Sequence, residues 1–375
     1  MKLLYINDAV AICGGLERVL VEKMNWFVEH AGYEVCLLTT NQCNHPFSFH
    51  LHPKVDYRDL GVNFHQQYQY SRWKRILINH RLHRFFRQCL AKVLLEYRPD
   101  VIICVRLDFL WDIVKVKNEI PCIFESHSSK RASYFEGDGW KRRLLVWYMQ
   151  RAVKKVEQVV ALTKGDANEW QKLTSKVCVI PNLVHLNDAN SVSDCILKTA
   201  IYVGRYSKQK DIGILLQIWE LVNQRHPDWE LHIYAGYGEQ QVDIIAKINN
   251  MKSNIIVHNP TTHIFDEYLK SSMLLLTSIY EPFGLVLPEA MSCGLPVVSF
   301  ASPYGPSDII TEGFDGFLIQ NRSIEDFVEK VCYLIDNSKT RIQMGNAGFL
   351  SSKRYSVNQI MPQWKCMFER IVPNS

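Results

Sequence analysis

Ser272 to Phe300, SMLLLTSIYEPFGLVLPEAMSCGLPVVSF, constrains the fold of this chain more than any other stretch. Met273 to Leu276 is an apolar run too short for a helix and suited to a buried strand. A loop from Ser278 to Gly284 carries Glu281, Pro282 and Gly284, and Leu285 to Ser292 reads as a helix that buries Leu285, Val286 and Met291 and points Glu289 elsewhere. Gly294 and Pro296 stop it, and Pro296 to Phe300 is a second apolar strand. In an open parallel sheet such a loop lies at the carboxyl end of its strand, where ligands bind. The amides from Phe283 to Val286 would lack helical partners, so an anionic group is the natural guest. Two carboxylates beside a phosphate-attracting helix start make sense if they grip hydroxyls. A nucleotide sugar has both features.

The string E-P-F-G-L-V-x-x-E-A-M-x-x-G-x-P-V-V, with Glu281 and Glu289 eight apart, resembles the signature of the retaining glycosyltransferase family 4. Two Glu at this spacing are common, so the carboxylates alone would read as a cap and a solvated helix residue; the whole string is far more specific. The resemblance implies an α/β class and the GT-B fold: two doubly wound Rossmann-like domains facing across a cleft. The domains expected are 1–187 on the acceptor side, 188–353 for the nucleotide sugar, and a helix over 354–375 that packs back on the first.

The rest of the chain fits that frame. At 375 residues, 47% of them hydrophobic, it can build two sizeable cores. No signal peptide is read at Met1 to Ile6, and no apolar run reaches the ~20 residues needed to span a bilayer. The eleven Cys include no C-x-x-C pair, and Cys36, Cys104, Cys122 and Cys178 sit in strand-like runs, as small buried hydrophobes of a reduced cytosolic protein do.

Strands are predicted over Lys2–Ile6, Tyr33–Thr40, Val55–Leu60, Val101–Val105, Pro121–Glu125, Gln158–Leu162 and Val177–Ile180. Gly14-Gly15-Leu16-Glu17-Arg18 opens the first helix; a lone Gly-Gly is a weak signal, but many family members have a similar loop facing the donor phosphate and the acceptor. His127 follows a strand end, and the resemblance makes it an active-site residue that contacts the donor sugar. Pro181-Asn182-Leu183-Val184 is similar to the family's hinge entry, with a polar linker over Asn187–Asp194.

The second domain opens with strand Thr199–Val203 and then Gly204-Arg205-Tyr206-Ser207-Lys208-Gln209-Lys210. Arg205 and Lys210 are similar to the family's Gly-Arg-x-x-x-x-Lys diphosphate site, an Arg fork and a Lys point charge for phosphate oxygens. Family members often carry Glu-Lys-Gly where this chain has Gln209-Lys210-Asp211. Trp229–Ala235 is a strand, Ser302–Asp308 a Gly/Pro-rich loop, and Arg354–Val372 the last helix.

By resemblance, the donor, most simply a UDP-sugar, is held by Gly14, Gly15, Arg205, Lys210, Glu281, Phe283, Gly284, Leu285 and Glu289. Glu289 takes the ribose and Glu281 the transferred sugar, with His127, Glu281, Arg205 and Lys210 in catalysis. No Asp-x-Asp pair of the kind that clamps a diphosphate through metal occurs, so neither metal nor cofactor is expected. The alternatives are a hydrolase or epimerase of the same fold, and a non-catalytic nucleotide-binding subunit; the latter would be expected to lack one of Arg205, Lys210, Glu281 and Glu289.

The acceptor is read from charge. Ser71 to Arg98 is a helix with eight Arg and Lys against Glu96 alone, and residues 130–155 carry eight more against Glu136 and Asp138. With Trp73, Phe85, Phe86, Trp140, Trp147 and Tyr148 among them, these patches suit an anionic membrane surface and a lipid-linked saccharide acceptor at the cytoplasmic face of the plasma membrane. No nucleic-acid partner is expected. The bland reading of such a charge run is a solvated outer face.

Overall fold

A computed structural model describes residues 1–128, 140–187 and 191–373. Two compact units emerge, Met1–Leu183 with Ile360–Ser375, and Val184–Gln359. The expected boundary at 187/188 lies four residues beyond the one observed. Residues 188–190 of the expected linker fall outside the described residues.

The first unit holds seven strands: β1 (Lys2–Asn7), β2 (Glu34–Thr39), β3 (Asp56–Asp59), β4 (Val101–Cys104), β5 (Cys122–Ser126), β6 (Gln158–Ala161) and β7 (Val177–Val179). Their order is β3-β2-β1-β4-β5-β6-β7, and every pairing is parallel. Burial on both faces explains the unbroken apolar runs of the central strands, in which Leu3 to Ile6 and Val101 to Cys104 are almost wholly buried. The polar β3, DYRD, is half-exposed at one edge, where charge discourages further pairing. The last helix, Val357–Ile371, begins three residues after its expected start. From Ile360 onward it belongs to this unit: Phe368 packs on Phe27 at 5.3 Å between ring centroids, and Arg370 donates to Gln158 at 3.2 Å.

The second unit holds β8 (Thr199–Arg205), β9 (Glu230–Gly236), β10 (Ile255–His258), β11 (Met273–Leu276), β12 (Val297–Phe300) and β13 (Gly316–Ile319). They form one parallel sheet in the order β10-β9-β8-β11-β12-β13. Chain direction across the sheet reverses between β8 and β11, so the loops that follow these two strands flank the switch point at which open α/β sheets bind ligands. The core on one face gathers Trp219, Tyr202, Phe300, Phe327 and Met344.

Two local readings change. Ser302–Asp308 is not wholly a loop: Gly305–Ile309 is a short helix with Pro306 in its first turn, where the missing N–H costs nothing. The helix expected at Leu285 starts at Val286 and buries Leu287, Ala290 and Met291, whereas Leu285 and Val286 stay half-exposed and Glu289, expected to point away, is buried.

Candidate functional site

The site of the second unit is built from the loops after β8 and β11. Gln209 and Ile279 tie the two backbones together: the Ile279 amide donates to Gln209 O at 2.8 Å, and Gln209 Nε2 donates to Tyr280 O at 3.0 Å. This pairing brings Lys210 Nζ onto Glu281 Oε1, an ion pair whose side chains are 13% and 5% exposed. The same carboxylate oxygen accepts from Ser278 Oγ at 2.6 Å. Glu281 is thus fixed from two sides at the carboxyl end of the sheet.

After Glu281 the chain turns sharply. Gly284 has φ +95°, a conformation that penalises any Cβ, and it sets the direction of the following helix. Gly305 N donates to Glu281 O at 2.9 Å, and a Cβ at Gly305 would lie 1.9 Å from Phe283 O, so only glycine permits that approach. Among the described residues, the amides of Phe283, Gly284, Leu285 and Val286 donate to no protein acceptor. Leu287 N donates to Gly284 O and Glu289 N to Leu285 O, closing the first turn behind them. Glu289 lies in that turn and is 6% exposed.

Arg205 ends β8 with an exposed side chain, and among the described residues Glu281 is paired with Lys210 and not with Arg205. The charge of Arg205 helps to hold the Glu239 carboxyl below its usual range, after hydrogen bonds from the Lys208 amide and Glu239's own backbone. Between these groups lies Tyr202, whose buried hydroxyl has no hydrogen-bond partner among the described residues. Burial raises its pKa, and the fields of Glu281 and Asp211 add to the shift. The Arg205 charge acts on Tyr202 in the opposite sense to these two carboxylates.

In the first unit, Gly14 and Gly15 precede and open the helix Gly15–His30, with Glu17 in its first turn. His127 follows β5, with Nε2 2.8 Å from Glu125 Oε1, although the angle is not that of a hydrogen bond. Glu125 also pairs with Lys23, and both side chains are 1% exposed. Burial pushes the Glu125 carboxyl up, but Lys23 and then His127 outweigh it and hold it at about 2. Burial lowers the Lys23 ammonium, which stands 4.1 Å from the Trp364 ring centroid. Neither Lys23 nor Glu125 was singled out from sequence. Glu125, two residues before His127, was the available signal; nothing local marks Lys23 as its partner.

The basic helix Arg72–Tyr97 divides its aromatic residues. Phe86, Leu90, Val93 and Leu94 are buried, so Phe86 cannot reach a surface. Trp73 is 82% exposed, and Ile76, Leu77 and Phe85 are exposed with it. Arg87 and His83 are committed to Asp112, each at 2.5 Å. In the second basic stretch Trp147 and Tyr148 are exposed, while Lys130, Arg131, Glu136 and Asp138 lie outside the described residues, as do the side chains of Trp140 and residues 141–143. Among the described residues no group of three His, Cys, Asp or Glu could hold a metal ion, and no helix is long and apolar enough to cross a membrane.

Residues 13–188 match the family model described as Glycosyltransferase Family 4, and residues 193–350 match Glycosyl transferases group 1. The amylovoran biosynthesis glycosyltransferase AmsD of Erwinia amylovora is 26% identical, with 97% of this chain and 98% of that protein covered. An uncharacterized glycosyltransferase of Haemophilus influenzae is 30% identical, but the match covers 57% of this chain and only 62% of that relative's length. Among solved structures, that of TarM superposes with a TM-score of 0.78 at 16% identity, covering 100% of this chain and 99% of the other.

Proposed function

Because this chain belongs to the family of GT-B glycosyltransferases that those two family models describe, we propose that it moves a hexose-type sugar, with retention of configuration, from a UDP-sugar to a glycan acceptor in cell-surface polysaccharide synthesis. The observation that carries this reading is the meeting of Lys210 with Glu281 beside four unengaged amides at the switch point of the second sheet. Breaking the bond between the anomeric carbon and the diphosphate leaves growing negative charge on the departing oxygen. Lys210, Arg205 and the amides of Phe283 to Val286 are the groups suited to stabilise it, without metal, and preorganised donors of this kind act most strongly on charge that develops in the transition state. Glu289 is assigned to the ribose hydroxyls and Glu281 to those of the transferred sugar. His127, Gly14 and Gly15 keep the roles the family resemblance implies. A solved complex of Staphylococcus aureus TarM contains UDP with alpha-GlcNAc-glycerol, which supports the choice of nucleotide.

The acceptor proposed is a lipid-linked saccharide met at an anionic, cytoplasmic membrane face. Support comes from the exposed row Trp73, Ile76 and Leu77 on the basic helix, with Arg75 stacked 4.2 Å from the Tyr68 ring centroid and Lys74 4.8 Å from that of Tyr70. Apolar side chains ringed by cations suit a headgroup layer.

The test is incubation with a panel of UDP-, GDP- and ADP-sugars, with and without a polysaccharide-intermediate acceptor, following nucleotide release and the configuration of the new linkage. Acceptor-dependent release from one donor with retained configuration is expected. Release to water alone would favour the hydrolase, and binding without release the non-catalytic subunit.

A further inference from the structure

Asp211 has a local conformation that its own sequence does not favour. It is the residue before the helix Ile212–Arg225, with φ +48° and ψ +53°, and its side chain makes no capping hydrogen bond. A residue in this position ordinarily adopts an extended conformation and caps the helix with its side chain; left-handed backbone carries a cost for residues with a Cβ, least for Asn and Asp, whose side chains can hydrogen-bond locally, and the Asp211 side chain makes no such capping bond. The carboxylate is used elsewhere: Asp211 Oδ2 accepts from Arg322 Nη2 at 2.6 Å, across 111 residues. The same guanidinium donates from Nη1 to Ser278 O at 2.9 Å and from Nη2 to Thr277 O at 3.2 Å, and it lies 4.4 Å from the Phe300 ring centroid. Thr277 Oγ1 is in turn 3.1 Å from Asp211 O and 3.2 Å from Lys210 O. One planar group therefore holds the residue after Lys210 and the backbone three residues before Glu281.

We infer that Asp211 and Arg322 form a strap that keeps the Lys210 loop in its strained path and so positions Lys210 against Glu281. Arg322 is a positioning residue, acting through the two loops. A fork is suited to this work: three acceptors from two loops lie within reach of one plane, which a lysine ammonium could not satisfy in fixed geometry. The catalytic consequence rests on the donor reading given above; the strap itself does not.

The experiment uses the full chain with Arg322→Ala, Asp211→Ala, Asp211→Gly, Asp211→Asn and the double variant Asp211→Gly/Arg322→Ala. Turnover and donor KM are measured with Tm, and amide hydrogen exchange is read in the ligand-free protein over residues 206–211 and 277–281. Arg322→Ala should raise exchange in both loops together and lower kcat about tenfold, since small misplacements of charge-stabilising groups are costly. Asp211→Ala, which keeps the strain and loses the tie, should match or exceed that loss. Asp211→Asn, which tolerates left-handed backbone and can still accept from Arg322, should stay near wild type. Glycine needs no tie to hold this φ, so in the Asp211→Gly background the Arg322→Ala loss should shrink to about threefold, a coupling typical of groups in contact. An equal Arg322→Ala loss in both backgrounds, or unchanged exchange in either loop, overturns the strap. If the wild type turns over no nucleotide sugar, the donor reading fails while the exchange measurements still decide the strap.

Discussion

Among the described residues, two Lys–Glu pairs with both side chains largely buried lie at the carboxyl ends of the two parallel sheets, and they differ in their surroundings. Lys23 and Glu125 are sealed: both are 1% exposed, with Trp364 against the ammonium and His127 against the carboxylate. Lys210 and Glu281 stand at a rim, 13% and 5% exposed, between loops rather than between a helix and a strand. In the sealed pair each charge depends chiefly on the other, because the partner is the main group that offsets its burial. Under the donor reading proposed above, a ligand's phosphate and hydroxyls would replace the partner at the rim. The contrast is between a fully sealed pair and one at the rim of its sheet, where the proposed donor would bind.

Breaking the sealed pair should have the largest effect. Lys23→Met leaves Glu125 buried with His127 alone, and loss of one partner of a buried pair costs about 3–5 kcal/mol. Chemical denaturation of this variant should show that loss, while Lys23→Met/Glu125→Leu, which removes both charges, should recover most of it. A double variant no more stable than the single one would contradict the charge argument.

Acid should find the same weakness. Glu125 goes from an ordinary 4.5 to about 2 on folding, so the unfolded chain takes up this proton first. Its contribution to stability is complete above pH ~4.5 and is lost as pH falls toward 2. Glu125→Gln should flatten the acid limb of a stability–pH curve; an unchanged limb would show that other carboxylates dominate it.

Within the rim site the two Glu should part. Glu289→Gln is expected to weaken binding of free UDP about tenfold or more, the range of hydrogen bonds to a charged group, whereas Glu281→Gln should leave UDP binding nearly intact and reduce transfer. Calorimetry with UDP decides it, and equal losses would mean that the roles are misassigned.

The smallest effects belong to the surface. Each cation near an anionic leaflet contributes about 1 kcal/mol, screened over a Debye length of ~10 Å at 0.1 M salt. Arg75→Glu with Arg84→Glu should therefore weaken co-sedimentation with anionic vesicles, and added salt should do the same to wild type. Equal binding to neutral vesicles would point to the apolar row alone.

Most of the fold was legible because parallel, doubly covered strands write themselves as short apolar runs: β11 runs Met273–Leu276, as its sequence predicts. Gly305–Ile309 hid behind Pro and Gly that ordinarily mark loops. That the Lys210 and Glu281 loops share one rim followed from two motifs and the sheet rule together; the ion pair between them did not. Asp211 with Arg322 and Lys23 with Glu125 are 111 and 102 residues apart, joined by folding and by no local spacing. Helical period likewise marked Phe85 and Phe86 as apolar neighbours without saying that only Phe86 faces the core.

The contrast between the two pairs is tested most directly by Lys210→Ala, measured for turnover at saturating donor and for Tm in the same preparation. Removing a donor that stabilises transition-state charge is worth about 2.7–4 kcal/mol, so turnover should fall at least ~100-fold. Tm should stay within a few degrees of wild type, far above that of Lys23→Met. Near-wild-type turnover, or a Tm lowered as far as that of Lys23→Met, would show that Lys210 and Glu281 are a second structural pair and not the donor site.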